Sequence, residues 1–309
     1  MLDVSFVITF YNKSAFVQQV LNSVFAQQGL GECEYIFIDD GSTDDTVALL
    51  KQHSQSHDNV HIIEQENTGP AIATNRCIDA VTARYIKFVD GDDILHPRAT
   101  LELLSALKET GVDVAYSLGE EVLTSSEEMN APDLPLPDVP YQTLTTALQT
   151  VSRKSMFNLS CILVTTEAAR AVGGCDPRVF IQGYSFALRI LAHSNLAFVP
   201  KVLHWTPVDV ADRASDLGGG AQVLHDLNFA LAYFIADHPE LPAKLKSKIV
   251  QRTTGRAWKW AKRVGGASIL SKHFGRYIRA VLFPNFGNTS ALIQSSCEAF
   301  RTTSNVRLP

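Results

Sequence analysis

Cysteine is scarce in this chain, and the few cysteines show no metal-binding spacing. The 309 residues contain five of them with no CxxC pair, namely Cys33, Cys77, Cys161, Cys175 and Cys297. An odd number of scattered thiols argues against a disulfide framework or a zinc site and is typical of a reducing compartment. We therefore expect free thiols and a cytoplasmic location.

Long apolar runs and a secretion signal are absent as well. No uninterrupted apolar stretch approaches the roughly 20 residues that a membrane-spanning helix requires. Asp3 stands where a signal peptide would carry basic residues. Because 46% of the residues are hydrophobic and 19% are charged, the composition excludes a disordered or low-complexity chain and supplies a substantial core.

Acidic residues are missing from one window near the C-terminus. Residues 244–279 contain six lysines and five arginines but no aspartate or glutamate, although the whole chain has a net charge of −5. Trp258, Trp260, Phe274 and Tyr277 lie among these cations. The combination predicts contact with an anionic membrane surface, and the alternative is a helical appendage whose aromatic side chains pack on the rest of the protein. Nucleic acid is disfavoured as a partner, because no nucleic-acid-binding motif accompanies the charge.

Strand and helix patterns alternate through the first hundred residues. Short apolar runs rich in β-branched and aromatic residues predict four buried strands, at 4–10, 34–38, 60–63 and 85–89. Helical spacing between them predicts helices capped by Asn12 or Ser14, by Thr43 or Asp44, and one over 70–81. Repeated β-α-β units predict an α/β fold with a mostly parallel sheet flanked by helices.

The second half of the chain is less regular. The proline-rich stretch 131–140 predicts a loop. Beyond it the patterns predict a helix at 143–151, a strand at 160–164, a helix at 184–193 and an extended segment at 197–203. Three glycines, 218–220, break the chain before a helical C-terminal region that starts near Gln222.

Polar side chains follow three of the predicted strands at the point where each strand ends. They are Thr9, Tyr11 and Asn12 after the first strand, Asp39 and Asp40 after the second, and Asp90, Asp92 and Asp93 after the fourth. In an open α/β sheet, ligands bind beyond the carboxyl ends of the strands. Five carboxylates at one edge would repel one another unless a cation lay among them, and Mg²⁺ or Mn²⁺ prefers oxygen ligands. For either acidic cluster alone, the alternative is a set of turn and capping residues.

Glycine-rich phosphate loops are missing. No GxGxxG motif follows the first strand, and no GxxxxGK[ST] motif occurs anywhere in the chain. A nucleotide would therefore be held through a metal ion and carboxylates rather than through a glycine loop.

Four short motifs occur in a fixed order: VITFYNK over 7–13, IDDGSTDDT over 38–46, NTG with ATN over 67–75, and FVDGDD over 88–93. Together they resemble the motifs of family 2 glycosyltransferases with the GT-A fold, of the bacterial polysaccharide and lipopolysaccharide type. A looser match continues over 173–184 and 199–204. The resemblance implies a metal-dependent, inverting transfer of a sugar from a nucleotide-sugar donor, UDP-linked by preference, to a glycan or lipid-linked acceptor.

The resemblance also implies roles for individual residues. The nucleotide-sugar pocket would be lined by Thr9, Tyr11, Asn12, Asp39, Asp40, Asn75, Arg76, Asp90 and Gln182. In the DxD motif, Asp92 would bind Mn²⁺ or Mg²⁺ directly, and Asp90 would reach the ribose or a metal-bound water. His204 is a further candidate metal ligand.

One position departs from the family pattern. Inverting members carry an acidic residue that deprotonates the acceptor hydroxyl, but here the segment 180–184 reads FIQGY, with Gly183 in that place. Glycine cannot accept a proton, and loss of a general base typically costs about 10²–10⁴-fold in rate. Three explanations stay open: a loss of activity, a base supplied from elsewhere, or a misaligned segment. The alternative function is therefore a GT-A protein that binds nucleotide-sugar without efficient turnover.

The motifs and the charge pattern together predict the organisation of the chain. Residues 1–215 would form the GT-A domain, with a donor-binding half over 1–115 and an acceptor half over 140–215. Residues 216–309 would form a helical, basic extension. We expect this extension to lie against the inner face of the plasma membrane.

Overall fold

The computed structural model describes residues 2–154, 157–210, 220–302, 304 and 306, and the chain divides into two compact units. The sheet unit comprises Met1–Ala147, Phe157–Cys175 and Arg189–Val210. The helical unit comprises Leu148–Met156, Asp176–Leu188 and Ala211–Pro309. The predicted boundary at 215 lies outside the described residues, and segments 148–156 and 176–188, which we expected in the N-terminal domain, group with the helical unit.

The sheet unit is built on nine strands among the residues that the structure describes. They are β1 (Val4–Phe10), β2 (Cys33–Asp39), β3 (Val60–Glu64), β4 (Tyr85–Asp90), β5 (Ile94–Leu95), β6 (Val114–Val122), β7 (Gln142–Leu144), β8 (Ile162–Thr165) and β9 (Leu196–Pro207). The four N-terminal strands that the sequence predicts are all present. Each lies within one or two residues of its predicted bounds.

The strands form one mixed sheet in the order β3-β2-β1-β4-β8-β6-β9-β5, with β7 paired to β9. The first four strands in this order are parallel, and β6 is parallel to β9. Strands β8, β5 and β7 run antiparallel to their neighbours. The prediction of a mostly parallel sheet flanked by helices is therefore confirmed.

Twelve helices are present in the described part of the chain. They are α1 (Val17–Phe25), α2 (Thr46–Ser54), α3 (Pro70–Ala80), α4 (Ala99–Thr110), α5 (Ala147–Arg153), α6 (Thr166–Ala171), α7 (Gln182–Leu191), α8 (Ala221–Asp237), α9 (Ala243–Gly265), α10 (Lys272–Leu282), α11 (Thr289–Ser296) and α12 (Glu298–Arg301). Helices α8 to α12 confirm the predicted helical C-terminal region. Among the described residues, no helix combines the length and the apolar character needed to cross a bilayer.

The predicted helix caps after β1 and β2 are wrong, and the reason is local hydrogen bonding. Asn12 has a positive φ of 51° and its side chain accepts the N–H of Thr43 at 2.8 Å, so it joins two loops instead of capping a helix. Asp44 accepts the N–H of Thr46 at 3.0 Å, and α2 starts only there. These short polar side chains bond to nearby backbone in loop conformations as readily as at a helix start.

The predicted helix over 143–151 is half wrong. Residues Gln142–Leu144 instead form β7, paired antiparallel with β9, and the helix α5 begins at Ala147. An unsatisfied strand edge offers backbone hydrogen bonds that outweigh a weak helical preference in a short segment.

The core of the sheet unit lies on both faces of the central strands. Phe6, Ile8 and Phe10 of β1 are buried together with the intervening Val7, which is why this strand reads as a continuous apolar run. The ring of Phe6 stacks on that of Tyr35 in β2 with centroids 5.2 Å apart. This rigid centre fixes the ends of β1, β2 and β4, from which the polar loops emerge.

Glu34 in β2 is a buried carboxylate that joins three chain segments. It accepts hydrogen bonds from the hydroxyl of Ser5, from the N–H and hydroxyl of Thr82 at 2.6 and 2.7 Å, and from the N–H of Ala83 at 3.1 Å. Burial alone would raise the pKa of Glu34, but the hydrogen bonds from Ser5, Thr82 and Ala83 outweigh it and hold the pKa below its ordinary value. The carboxylate therefore stabilises the start of the parallel sheet in its charged form.

We expect Glu34→Ala to lower the free energy of unfolding by about 3 kcal/mol at neutral pH, because it leaves several buried donors without an acceptor. Since the folded pKa is depressed, this contribution is present above the ordinary carboxyl pKa and is lost as the pH falls through the folded value. Guanidinium unfolding at neutral and at acidic pH measures both effects. The exposed neighbour variant Glu32→Ala is the control and should change stability by less than about 0.5 kcal/mol. Equal losses in the two variants would contradict the assignment.

Candidate functional site

The sheet register brings the ends of three adjacent strands together. In the pairing of β1 with β2, Phe10 lies opposite Asp39, and in the pairing of β1 with β4, Thr9 lies opposite Asp90. Because neighbouring strands are about 4.8 Å apart, Asp39 and Asp90 lie two strand spacings, about 10 Å, from each other across the end of β1. The sheet edge thus gathers the predicted polar residues into one surface.

Gly91 allows the acidic loop after β4 to pass close to the end of β1. A Cβ atom on this residue would lie 2.7 Å from the carbonyl oxygen of Thr9 and 2.8 Å from the ring of Phe10. Any larger residue would push the loop away from the strand, so the glycine between Asp90 and Asp92 fixes where both carboxylates lie.

Asp39 presents an unsatisfied acceptor at this edge. Its Oδ2 accepts the N–H of Ser42 at 2.9 Å, whereas its Oδ1 is buried and has no hydrogen-bond partner within the part of the chain that the structure describes. Buried carboxylate oxygens are normally hydrogen-bonded, since a buried acceptor without a donor lowers the free energy of unfolding. A ligand N–H or hydroxyl donor at Oδ1 would remove that cost.

Both carboxylate oxygens of Asp40, in contrast, accept hydrogen bonds from the protein itself. Its Oδ1 accepts from Gln65 Nε2 at 2.7 Å and from the N–H of Thr68 at 2.9 Å, and its Oδ2 accepts the N–H of Gly69 at 2.9 Å. Arg76 reaches the same loop by donating to Gln65 Oε1 at 2.9 Å. In this structure Asp40 holds the loop in front of α3, and Arg76 is an exposed side chain tied to it.

Tyr11 and Asn12 lie on the loop that follows β1. The Tyr11 side chain is 47% exposed, so its ring is accessible at the edge of the sheet. The Asn12 N–H donates to Ser42 Oγ at 2.9 Å, which links this loop to the one after β2. The two residues therefore border the surface that Asp39 and Asp90 define, with Asn12 serving as a bridge between loops.

Three carboxylates crowd the end of β4, with one lysine as a counter-ion. Lys13 Nζ forms an ion pair with Asp92 Oδ2. Burial, together with the neighbouring Asp93 and Asp92, raises the pKa of Asp90, and burial with Asp92 raises the pKa of Asp93. Both shifts have the same two causes, burial first and then the neighbouring carboxylates, which Lys13 and Lys87 offset only in part at Asp90. A cation in this loop would reduce the repulsion between these carboxylates.

The residues present fit such a cation only in part. Asp90 and Asp92 offer the hard oxygen atoms that Mg²⁺ and Mn²⁺ prefer. Across the described ranges, no three His, Cys, Asp or Glu side chains converge into a complete metal site. A divalent ion held by Asp92 and Asp90 would therefore take its remaining ligands from water or from the oxygen atoms of a bound ligand.

Lys87 is a functional candidate that the motif search missed. It occupies the middle of β4, is fully buried, and donates to the carbonyl oxygens of Phe88 at 2.8 Å and of Ser160. Burial lowers the pKa of Lys87 to about 8, although Cys161, Asp93 and Asp90 act in the opposite direction. A lysine inside an otherwise apolar strand was the available signal, because buried lysines are rare unless paired.

His204 lies beneath the acidic loop and not among its ligands. It is buried on β9, with Nδ1 3.6 Å from Cys161 Sγ and Nε2 4.0 Å from Asp93 Oδ2. Burial, reinforced by the Lys87 ammonium, lowers the pKa of His204 to about 3 and keeps the ring neutral. In this structure His204 packs against Cys161 and Asp93, and its role as a metal ligand stays a prediction.

Asn75 also has a role within the protein. Its Nδ2 donates to the carbonyl oxygen of Cys175 at 2.9 Å, and its Oδ1 accepts the N–H of the same residue at 2.7 Å. A Cβ on Gly174 would lie 2.2 Å from Asn75 Oδ1, so this turn needs a glycine with its φ of +65°. The amide therefore fixes the turn after α6, both of its polar ends being occupied by backbone.

Gln182 and Gly183 belong to the helical unit, whereas the other predicted site residues belong to the sheet unit. They form the first turn of α7, where Gln182 is half-buried and Gly183 is buried. The Gln182 carbonyl oxygen accepts from Ser185 Oγ at 2.8 Å. No carboxylate occupies this turn.

We expect Lys87→Met to raise the pKa of Asp90 further, because the buried ammonium opposes the rise that burial and the other carboxylates cause. Carboxyl ¹³C titration by NMR measures this pKa directly. Lys51→Met removes an exposed lysine of the same unit and is the matched control, which should leave the Asp90 titration unchanged. Indistinguishable Asp90 curves in Lys87→Met and the unaltered protein would refute the electrostatic role.

Comparison with known proteins gives a consistent result for the N-terminal half. Residues 5–156 match the family model described as Glycosyl transferase family 2. The uncharacterized glycosyltransferase YibD of Escherichia coli (strain K12) is 33% identical over 111 residues, which are 36% of this chain and 32% of that protein. The aligned segment thus spans about a third of the length of this relative.

Solved structures share the fold over nearly the whole chain. The crystal structure of S. aureus TarS 1-349 is 15% identical, with a TM-score of 0.63 over 99% of this chain and 93% of that one. Its complex with UDP-GlcNAc gives a TM-score of 0.60 at 14% identity over the same shares. The mannosyltransferase PcManGT from Pyrobaculum calidifontis, in complex with GDP-Man and Mn²⁺, gives 0.56 at 15% identity over 97% of this chain and 86% of that one. With the matched motifs at the edge of a GT-A sheet, residues 5–156 are identified as a family 2 glycosyltransferase domain.

Proposed function

We propose that the protein transfers a sugar from a nucleotide-sugar donor to a glycan or lipid-linked acceptor, with inversion at the anomeric carbon. The observation that carries the proposal is the pairing of the open Asp39 acceptor with the acidic loop of Asp90 and Asp92 on one sheet edge. The Asp39 acceptor would take a hydrogen bond from a nucleobase N–H, and the acidic loop would hold the metal ion that binds the diphosphate. UDP-GlcNAc in TarS and GDP-Man in PcManGT support a nucleotide-sugar as the ligand class.

In this proposal the donor is held by residues of the sheet unit. Asp39 Oδ1 would accept from the base, and Tyr11 and Thr9 would border the nucleoside at the end of β1. Lys13, now paired with Asp92, lies where its ammonium could also meet the negative charge of a diphosphate. We prefer a UDP-linked donor, for which the TarS complex is the supporting comparison.

Asp92 and Asp90 would hold Mn²⁺ or Mg²⁺, and PcManGT with Mn²⁺ supports this assignment. The ion would supply electrostatic stabilisation of the departing diphosphate. Lys87 and Lys13 act on the same loop from within the protein, because one lies beneath it and the other pairs with it. These residues position the carboxylates and limit their mutual repulsion.

A second candidate function is donor binding without efficient turnover. The specific observation in its favour is Gly183, which stands in the first turn of α7 where the family has its acidic base. Under this alternative the donor site is intact and the acceptor hydroxyl lacks a group to take its proton. The two candidates agree on nucleotide binding and differ only in the rate of transfer.

Nucleotide binding is the first test. We expect calorimetric titration with UDP, GDP and CMP to show that one nucleotide, UDP by preference, binds in a Mn²⁺-dependent manner. Asp92→Asn should remove the metal dependence, and Asp39→Asn should weaken binding by about tenfold or more, because it alters a buried acceptor. Asp45→Asn, an exposed carboxylate at the same edge without a side-chain cap bond, is the control and should bind normally. Absence of binding for all three nucleotides would overturn the proposed donor site.

The base is tested at Gly183. If the protein is the disabled form, Gly183→Asp should raise donor hydrolysis or transfer by about 10²-fold or more, whereas Gly183→Asn, of nearly the same size, should not. If the unaltered chain is an active transferase, it turns over by itself and the two variants have equal rates. The rate of product formation from a UDP-sugar, measured by the release of UDP, distinguishes these outcomes.

A further inference from the structure

The helical unit contains a cavity of about 970 Å³ with a strongly basic wall. Six cationic side chains line it: Arg153, Lys248, Arg252, Arg256, Lys259 and Arg263. Trp260 and Tyr277 add aromatic surface, and among the residues that the structure describes no aspartate or glutamate is part of the lining. All of its lining residues belong to the helical unit, and nothing in the proposed transfer reaction assigns the cavity a ligand.

The cavity follows from the sequence of α9. Residues 248, 252, 256, 259 and 263 recur at intervals of three or four and therefore share one face of the helix. Gly255 on the same face lets the ring of Tyr277 from α10 come close, because a Cβ at Gly255 would lie 3.1 Å from that ring. The opposite side of α9 buries Trp258, whose ring centroid is 5.0 Å from that of Phe274.

The aromatic residues of the basic window thus pack inside the helical unit to a large extent. Trp258 and Trp260 are both buried, and Trp260 lies 5.8 Å from the ring of Phe300. The two tryptophans are therefore covered by the helical unit, and the exposed part of α9 consists largely of its lysines and arginines.

Within the described ranges, the cavity cations have no carboxylate partners. In the described part of the chain, none of the six forms an ion pair, whereas the neighbouring Lys272 and Arg276 both pair with Glu298. Arg252 donates to the carbonyl oxygen of Ser152 at 2.7 Å and Arg256 donates to Asn228 Oδ1 at 2.9 Å. Neutral acceptors therefore orient the two half-buried guanidinium groups without cancelling their charge.

The positive charge inside the cavity is costly to the protein. Burial, together with the nearby Arg252, lowers the pKa of Arg256 to about 10, and burial also lowers the pKa of Arg252. Clustered cations that repel one another lose that repulsion when an anion enters. Guanidinium groups held in place are suited to bidentate contacts with phosphate oxygens.

We propose that this cavity binds a ligand that carries two or more phosphate charges, as a diphosphate or a phosphodiester. Six cations exceed what a single carboxylate would compensate, and the cavity has room for several phosphate groups together with an attached organic part. Trp260 and Tyr277 provide a surface for that organic part. The phosphate belongs either to a free ligand or to a lipid headgroup, because α10 continues from the cavity into the exposed side chains of Leu282 and Phe283.

The experiment uses the full chain in EDTA, so that a metal ion at the sheet edge contributes nothing to binding. Titration calorimetry with inorganic pyrophosphate and tripolyphosphate measures the free ligand, and co-sedimentation with phosphatidylcholine vesicles, with and without phosphatidylglycerol, measures the headgroup. The test variant is Lys248→Gln with Lys259→Gln, two exposed cavity lysines on α9. The matched control is Lys244→Gln with Lys262→Gln, which removes the same charge from exposed positions of the same helix outside the cavity.

We expect the test variant to lose about tenfold or more in affinity for tripolyphosphate or for the anionic vesicles, and the control to lose about twofold at most. A loss in calorimetry alone assigns a free phosphate ligand, and a loss in sedimentation alone assigns a headgroup. Equal losses in the two variants would overturn the proposal, because they would show dispersed charge rather than a built cavity. Failure of the unaltered chain to bind pyrophosphate, tripolyphosphate and anionic vesicles would also overturn it. The outcome is independent of the nucleotide titration, which probes the sheet unit.

Discussion

The crowding of buried carboxylates at the end of β4 is the constraint on which the site depends. Parallel pairing of β2, β1 and β4 brings the ends of these strands to the same side, so Asp39 and the acidic loop after β4 lie at one edge of the sheet. Lys87 beneath the loop and Lys13 beside it offset part of the repulsion, yet the pKa of Asp90 stays raised. Because burial and the neighbouring carboxylates both disfavour the charged carboxylate, we expect a cation to be favoured in this loop.

The periodicity of the chain predicts the sheet well, because buried parallel strands leave continuous apolar runs that few other structures produce. It also places the acidic residues correctly, since strand direction alone decides which end they occupy. It does not reveal partners that are distant in sequence: the loop that contacts Asp40 starts 25 residues later, and the partner of Asn75 lies 100 residues away. Motif matching assigns both residues to a ligand, which stays a prediction, and only three-dimensional contacts reveal the hydrogen bonds that they make within the protein. Motif matching also missed Lys87, since the FVDGDD motif begins one residue after it.

Charge is divided between the two units in opposite senses. The sheet unit concentrates carboxylates at a strand edge, where hard cations bind, and the helical unit concentrates guanidinium and ammonium groups in a cavity. Among the described residues, neither cluster is neutralised by its own unit. The net charge of −5 conceals this division, because it averages an acidic cluster and a basic one.

The clamp between Asn75 and Cys175 has a consequence for how the chain acquires its structure. The matched family segment ends at 156, before β8 is inserted between β4 and β6 and before Cys175 meets the Asn75 amide. During synthesis the first four strands would therefore emerge before β8 pairs with the free edge of β4 and before the side-chain amide of Asn75 has its hydrogen-bond partner. Contacts of such long sequence separation form late and slow the folding of a domain. The recognisable motif segment is thus shorter than the smallest piece that could fold and hold the site in place.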